Sequence, residues 1–313
     1  MPIGIQNETG MGVSDSGQDQ ASLDSIPLVT VALPVYNAGK YLRPAVFSII
    51  NQTFKNWELL VIDDGSTDNA IQKLAGINDA RIKIFRDDKN LGLAVRLNEA
   101  INMAKGSYFA RMDSDDISYP ERFARQLEKL HSDPTLDLIA TRAITIDGDD
   151  NATGLFPFAI SHEEICARPW RGFYLPHPTW MGRIEWFRKH RYEVPAPYFC
   201  EDQELLLRTH LTSRFGTLDE ILLGYRVKNG VDWNKLAETR RAIFDFQIRF
   251  FSSKQDWQSL WRAAILCAIK LMRDLLVKSV GCQSSDLKWE AIETSEKRKW
   301  DQIRIELAAE NNK

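Results

Sequence analysis

The chain has 313 residues, 44% of them hydrophobic, with 40 Lys and Arg against 43 Asp and Glu, a formal net charge of −3 and a pI near 6.0. That length suffices for one full core and is long for a single compact domain, so one main domain with a smaller addition is expected. A chain with no basic excess has no field for holding nucleic acid by counterion release, which excludes nucleic acid as the main partner.

Residues 1–26 lack the basic start and apolar middle of a signal peptide and are rich in Gly, Ser, Asp and Gln, so they are read as a disordered tail. From Leu28 onward, β-branched runs alternate with helical patterns. "LVTVALPVY" (28–36), "WELLVIDD" (57–64), "RIKIF" (81–85) and "SYFARMD" (107–113) read as strands; "YLRPAVFSIINQ" (41–52) and "GLAVRLNEAINMA" (92–104) read as helices. Strands separated by such helices call for right-handed crossovers and a mostly parallel sheet, which places residues 27–229 in the α/β class. After Pro120, Phe123, Leu127 and Leu130 recur at helical spacing, and "LDLIATRAITI" (136–146) reads as a further strand. "DGDDNATG" (147–154) has the flavour of a calcium loop but lacks its Gly and closing Glu, so a surface turn is expected. The stretch 161–226 is less regular and carries "LPHPTWM" and "YFCEDQELLLR". A boundary is placed near Asn229 and Gly230, with 230–313 a helical C-terminal region. No window reaches the ~18 apolar residues of a spanning helix. Cys166, Cys200, Cys267 and Cys282 show no paired spacing, so four buried thiols in a reducing, cytoplasmic compartment are expected.

In open α/β sheets the loops beyond the carboxyl ends of the strands build the ligand crevice. The polar clusters lie at those ends: Tyr36 and Asn37 after the first strand, Asp63 and Asp64 after the second, Asp113, Asp115 and Asp116 after the fourth. Carboxylates that close repel one another unless a cation neutralises them. Mg²⁺ or Mn²⁺ is the natural partner, since such an ion takes one or two carboxylates and fills its other positions with water and phosphates. A haloacid-type phosphatase needs Thr or Val where Ile117 stands, a dinucleotide oxidoreductase needs G-x-G-x-x-G where the turn reads "PVYNAGKY", and no P-loop is present. Metal-assisted transfer from a nucleotide diphosphate remains.

The stretch "VALPVYNAGKYLRPAVFSIINQTFKNWELLVIDDGSTD", followed in order by "NLGLAVRLNEAI", "GSYFARMDSDD" and "YFCEDQELLLR", resembles the nucleotide-sugar-dependent glycosyltransferases of family 2, over about residues 28 to 226. The resemblance implies a GT-A fold and an inverting transferase that moves a sugar from a nucleotide-sugar donor, UDP-linked, to a hydroxyl of a glycan or lipid-linked saccharide in surface polysaccharide or lipopolysaccharide synthesis. It implies a donor site of Pro34, Tyr36, Asn37, Asp63, Asp64, Arg111 and Asp113, with Asp64 and Asp63 accepting from the imide N–H of the base. Arg96 is offered as a second positive charge at the diphosphate, with a solvated or core-rim arginine as the alternative. The metal set is Asp115 with Asp113 and Asp116. Asp202, with Glu201 second, is the base that takes the acceptor proton; either acid also suits a helix N-terminus. His177 matches a position near the diphosphate or acceptor, and Trp170 and Trp180 are either sugar platforms or core.

A nucleotidyltransferase on a similar fold should carry a glycine-rich, arginine-containing stretch after the first strand, and "PVYNAGKYLRP" has too few glycines. A nucleotide-sugar-binding module without turnover would lack one of the role residues. In 257–280, Trp257, Trp261, Ile265, Ala268, Met272 and Leu276 form one helical stripe beside Arg262, Lys270, Arg273 and Lys278. Such a helix either lies on the inner face of the plasma membrane or packs on the main domain.

Overall fold

The computed structural model describes residues 28–197, 199–227, 232–279 and 290–311. The expected tail, the boundary at Asn229 and Gly230, and Cys282 lie outside the described residues.

Strands buried on both faces read as continuous apolar runs, and this is how the centre of the sheet is made. β1 (Val29–Val35) and β2 (Trp57–Asp64) are buried at every position. β3 (Ile82–Asp87) and β4 (Tyr108–Arg111) flank them, and the four run parallel in the order β3-β2-β1-β4. Beyond β4 the sheet becomes mixed. β8 (Met181–Arg183) is antiparallel to β4 and to β6 (Leu138–Ile146), which runs parallel to β9 (Phe215–Arg226). β5 (Ile117–Ser118) pairs with β9 and β7 (Ala152–Leu155) with β6, both antiparallel.

Helices cover both faces. α1 (Leu42–Ile50) and α3 (Arg122–Ser132) bury Leu42, Val46, Phe123, Leu127 and Leu130 against one face. α2 (Leu93–Met103) buries Leu97 and Ile101 against the other, with α5 (Ile184–Lys189) and α6 (Glu201–Thr209) beside it. The short α4 (His162–Cys166) opens with a capping box between Ser161 and Glu164.

The C-terminal helices join these layers. α7 (Trp233–Ser253) and α8 (Trp257–Ser279) put Phe246, Phe251 and Ala263 into the core that holds Leu205 and Trp186. The Gln247 amide donates to the carbonyls of Pro169 and Trp170 at 3.3 and 3.1 Å. α9 (Thr294–Asn311) returns to pack beside α1, with Trp300, Ile303 and Leu307 buried. Trp300 is fully buried, stacks on Tyr119 with centroids 5.9 Å apart, and donates from Nε1 to the Asp150 carbonyl at 2.8 Å. A Cβ on Gly224 would stand 2.6 Å from the Trp300 ring, so β9 leaves room for that ring with a glycine. Trp300→Ala is expected to lower the unfolding free energy by about 3–5 kcal/mol, read from urea melts.

Candidate active site

The parallel strands bring the carboxyl ends of β1, β2 and β4 to one rim, and loop side chains sew the first two together. Pro34 is buried in β1 opposite Ile62, while Tyr36 is exposed. Asn37 takes φ +52°, which Asn tolerates because its short amide bonds locally. Its Oδ1 accepts from the Thr67 N–H at 2.9 Å, and its own N–H donates to Ser66 Oγ at 3.0 Å. Asp68 accepts from the N–H groups of Ala70 at 3.0 Å and Gly39 at 2.6 Å. Gly65 sits at φ +76°, where a Cβ would lie 2.9 Å from the Lys89 carbonyl carbon.

Asp63 and Asp64 are both buried. Asp63 accepts from the Ser66 N–H at 3.0 Å and lies 3.7 Å from Arg86. Asp64 accepts from the N–H groups of Leu91 (2.7 Å) and Gly92 (3.0 Å) and from Arg96 Nε (2.7 Å). It thus uses three of about four lone-pair directions within the chain. Arg96 departs from the role at the diphosphate. It is buried and shared among Asp64, Asp87 (3.0 Å), Glu99 (2.9 Å) and the Lys89 carbonyl (2.7 Å). The reason is local: α2 starts at Gly92 without a side-chain cap, so Asp64 satisfies its entry from β2 and Arg96 balances the charge. A cavity of about 400 Å³ opens nearby, lined by Asp63, Phe85, Arg86 and Met103 but by none of Asp113, Asp115 and Asp116.

Arginines of the same chain relieve the crowding of Asp113, Asp115 and Asp116. Arg111 Nη2 lies 2.6 Å from Asp113 Oδ1. Burial would lower its pKa, but Asp113 outweighs that and the guanidinium stays charged. Its Nε and Nη1 meet no acceptor among the described residues. Arg226, at the end of β9, donates its backbone N–H to Asp116 Oδ1 at 2.8 Å and Nε to the Asp115 carbonyl at 2.7 Å. Its Nη groups reach the Asp147 carbonyl and Asp150 Oδ1, both at 2.5 Å. The 147–151 segment is the expected turn, held by Asp147 accepting from Asp149 and Asn151 N–H.

Asp116 is a second departure. It was expected in the metal set, yet it is buried; one oxygen takes the Arg226 N–H and the other meets no partner among the described residues. Burial, then Asp113 and Asp115, push its carboxyl well above the usual range. Asp113 and Asp115 are only partly buried. No group of three His, Cys, Asp or Glu is arranged to hold a metal among the described residues. Two carboxylates still suit a cation that draws its other ligands from phosphates and water.

Glu201 and Asp202 open α6, where negative charge is favoured. Burial, then Asp202, raises Glu201 to about 7. Burial also raises Asp202, against the Gln203 amide that donates to its Oδ2 at 3.2 Å. Gln203 is pinned by the Phe173 backbone, accepting its N–H at 2.8 Å and donating to its carbonyl at 3.2 Å. His177 Nε2 lies 2.8 Å from the Tyr192 hydroxyl and Nδ1 lies 3.8 Å from Glu201. Burial, then Arg111, holds this histidine well below its ordinary pKa, so it is neutral and the 3.8 Å approach is no ion pair. The charge of Arg111 acts on Asp113, Tyr192, Glu201 and Asp202, so both acid groups share one cation.

Trp180 is core, its Nε1 donating to the Leu175 carbonyl at 3.0 Å, and Trp170 lies under Arg262 at 4.6 Å. Sequence reasoning missed Tyr192, Arg226 and Arg122. Arg122 is buried and donates to the carbonyls of Arg111 (3.1 Å) and Pro178 (3.0 Å), clamping β4 to the His177 segment. Its one signal was a charge beside Phe123 on the buried side of α3.

A model of glycosyl transferase family 2 matches residues 30–191. An uncharacterised glycosyltransferase of Haemophilus influenzae is 34% identical over 218 residues, 66% of this chain and 67% of that protein. A chondroitin synthase of Escherichia coli is 33% identical over 42% of this chain and 20% of its own length. Among solved structures, S. aureus TarS 1-349 in complex with UDP-GlcNAc superposes with a TM-score of 0.56 at 20% identity, covering 70% of this chain and 66% of that one. The same protein in complex with UDP gives 0.54 at 21%, covering 70% and 65%.

Proposed function

Because the chain belongs to glycosyl transferase family 2 and is a glycosyltransferase of GT-A fold, we propose that it transfers a sugar, with inversion, from a UDP-linked donor to a hydroxyl of a glycan or lipid-linked saccharide in surface polysaccharide or lipopolysaccharide synthesis. The observation that carries the reading is the sharing of Arg111 between Asp113 and the Glu201–Asp202 pair. On this reading Asp113 stands on the donor side and Asp202 on the acceptor side. The UDP and UDP-GlcNAc complexes of TarS support the donor class, and the chondroitin synthase supports the polysaccharide product.

Pro34, Tyr36 and Asn37 border the nucleotide, whose imide N–H meets the remaining lone pair of Asp64, with Asp63 second. The charge of the buried Arg111 favours the anionic end of the donor. Mg²⁺ or Mn²⁺ held by Asp115 with Asp113 would stabilise the charge that grows on the departing diphosphate. Of the two coupled acids, Asp202 keeps the negative charge, since the Gln203 amide favours its ionised form, and Glu201 keeps the proton. Asp202 takes the proton of the acceptor hydroxyl, and His177, neutral and fixed by Tyr192, limits the motion of Glu201.

The test is a thermal-shift panel of nucleotide sugars with and without Mn²⁺. A donor at a hundred times its Kd should add about 2.7 kcal/mol, or about 5 °C in Tm. If no nucleotide sugar shifts the melt in either condition, the reading fails.

The acid pair also yields a pH prediction. Glu201 titrates higher in the fold than its ordinary 4.5, so the native state holds a proton that the unfolded chain has released. This contribution to stability is therefore lost as pH rises from 4.5 to about 7. Transfer moves the other way, rising as Asp202 loses its proton above the ordinary aspartate value. Urea melts against pH should show a shallower fall in Glu201→Gln than in wild type, since the variant keeps the neutral form at 201 and retains transfer while Asp202 and Asp116 still titrate high.

A further inference from the structure

The inner face of α8 is settled by packing. Ala263 and Asp274 are buried, and Asp274 is paired with Arg240 of α7. Opposite them, Trp257, Trp261, Ile265, Met272, Leu275 and Leu276 are all more than half exposed, with Trp261 at 70% and Leu276 at 66%. At 3.6 residues per turn these side chains occupy an arc of about 100°, the width of a face that a globular protein would bury. A continuous apolar stripe of this size on the surface marks a contact site rather than chance exposure.

The charges around the stripe choose the occupant. Within Trp257–Ser279 the cations are Arg262, Lys270, Arg273 and Lys278, and the one acid is Asp274, already neutralised underneath. Arg262 and Arg273 are exposed along one edge of the stripe and Lys278 is exposed near its end. A second copy is disfavoured: a two-fold antiparallel pairing centred on the stripe would set Arg262 beside Arg273 of the other chain with no acid between them. No helix among the described residues is long and apolar enough to cross a membrane. From this geometry we infer that α8 docks the enzyme on an anionic lipid bilayer, lying in the interface with Trp257, Trp261, Met272 and Leu276 inserted and the arginines at the headgroups. The inference stands apart from the donor chemistry, because none of its residues belongs to the acid clusters.

The experiment is flotation of the full chain with vesicles of phosphatidylcholine alone or mixed with phosphatidylglycerol. Binding to the mixed vesicles only, weakened by salt, is the expected result, with quenching of tryptophan by brominated lipid. Trp261→Ser with Leu276→Ser should weaken partitioning about tenfold. Arg273→Gln with Lys278→Gln should remove the preference for phosphatidylglycerol. Both pairs replace exposed side chains, so an unchanged wild-type melting curve checks that they fold. Failure of the wild-type chain to float, or equal flotation of the serine variant, overturns the inference. So does a dimer in light scattering that the serine changes dissociate.

Discussion

Replacing Asp202 with Asn is expected to leave donor binding intact and to cut transfer about a thousandfold. The change removes the basic oxygen and keeps the shape, and the retained amide oxygen still accepts from Gln203, which the Phe173 backbone holds in place. The acceptor hydroxyl, whose own pKa is far above neutrality, then has no strong base to receive its proton as it attacks. Glu201 does not substitute, since burial, the larger cause of its raised pKa, still favours its protonated form when Asp202 is gone. Calorimetry with UDP-sugar and a product assay on the same preparation read the two halves of the prediction. Equal loss of binding and transfer would remove Asp202 from the role of base.

Asp115→Asn is expected to weaken donor binding about a hundredfold in Mn²⁺, the cost of taking one charge from a close pair, and to leave binding without metal unchanged. Its neighbour behaves differently. Asp116→Asn should preserve donor affinity, because that carboxyl is buried beneath the loop with one oxygen committed to the Arg226 N–H. An amide there still accepts that bond and escapes the cost of burying a charge between Asp113 and Asp115, so stability should hold or rise. Titration of manganese and UDP-sugar into the three proteins separates the two aspartates. A hundredfold loss in the Asp116 variant with none in the Asp115 variant would exchange their roles.

The strands of the parallel half were legible because they are buried on both faces, so their apolar runs in 28–36, 57–64 and 107–112 leave no polar phase. The helix at 122–132 was legible from Phe123, Leu127 and Leu130. What escaped was decided by contacts distant in sequence. β8 is three residues long and its direction depends on pairing with both β4 and β6. The same holds at the site. The carboxylates were visible as clusters at strand ends, but Arg226 reaches Asp115 and Asp116 across about 110 positions. Arg96 carried the charge a diphosphate wants, and only the geometry reveals that Asp64, Asp87 and Glu99 already surround it. Likewise the stripe on α8 was readable, whereas its outward orientation rests on Asp274 turning to Arg240.

The stitching among Asn37, Gly39, Gly65, Asp68, Leu91 and Gly92 ties three loops into a single lip. A lip so latched has surrendered its freedom in the empty protein, so any ligand that binds there meets little further loss of ordering entropy.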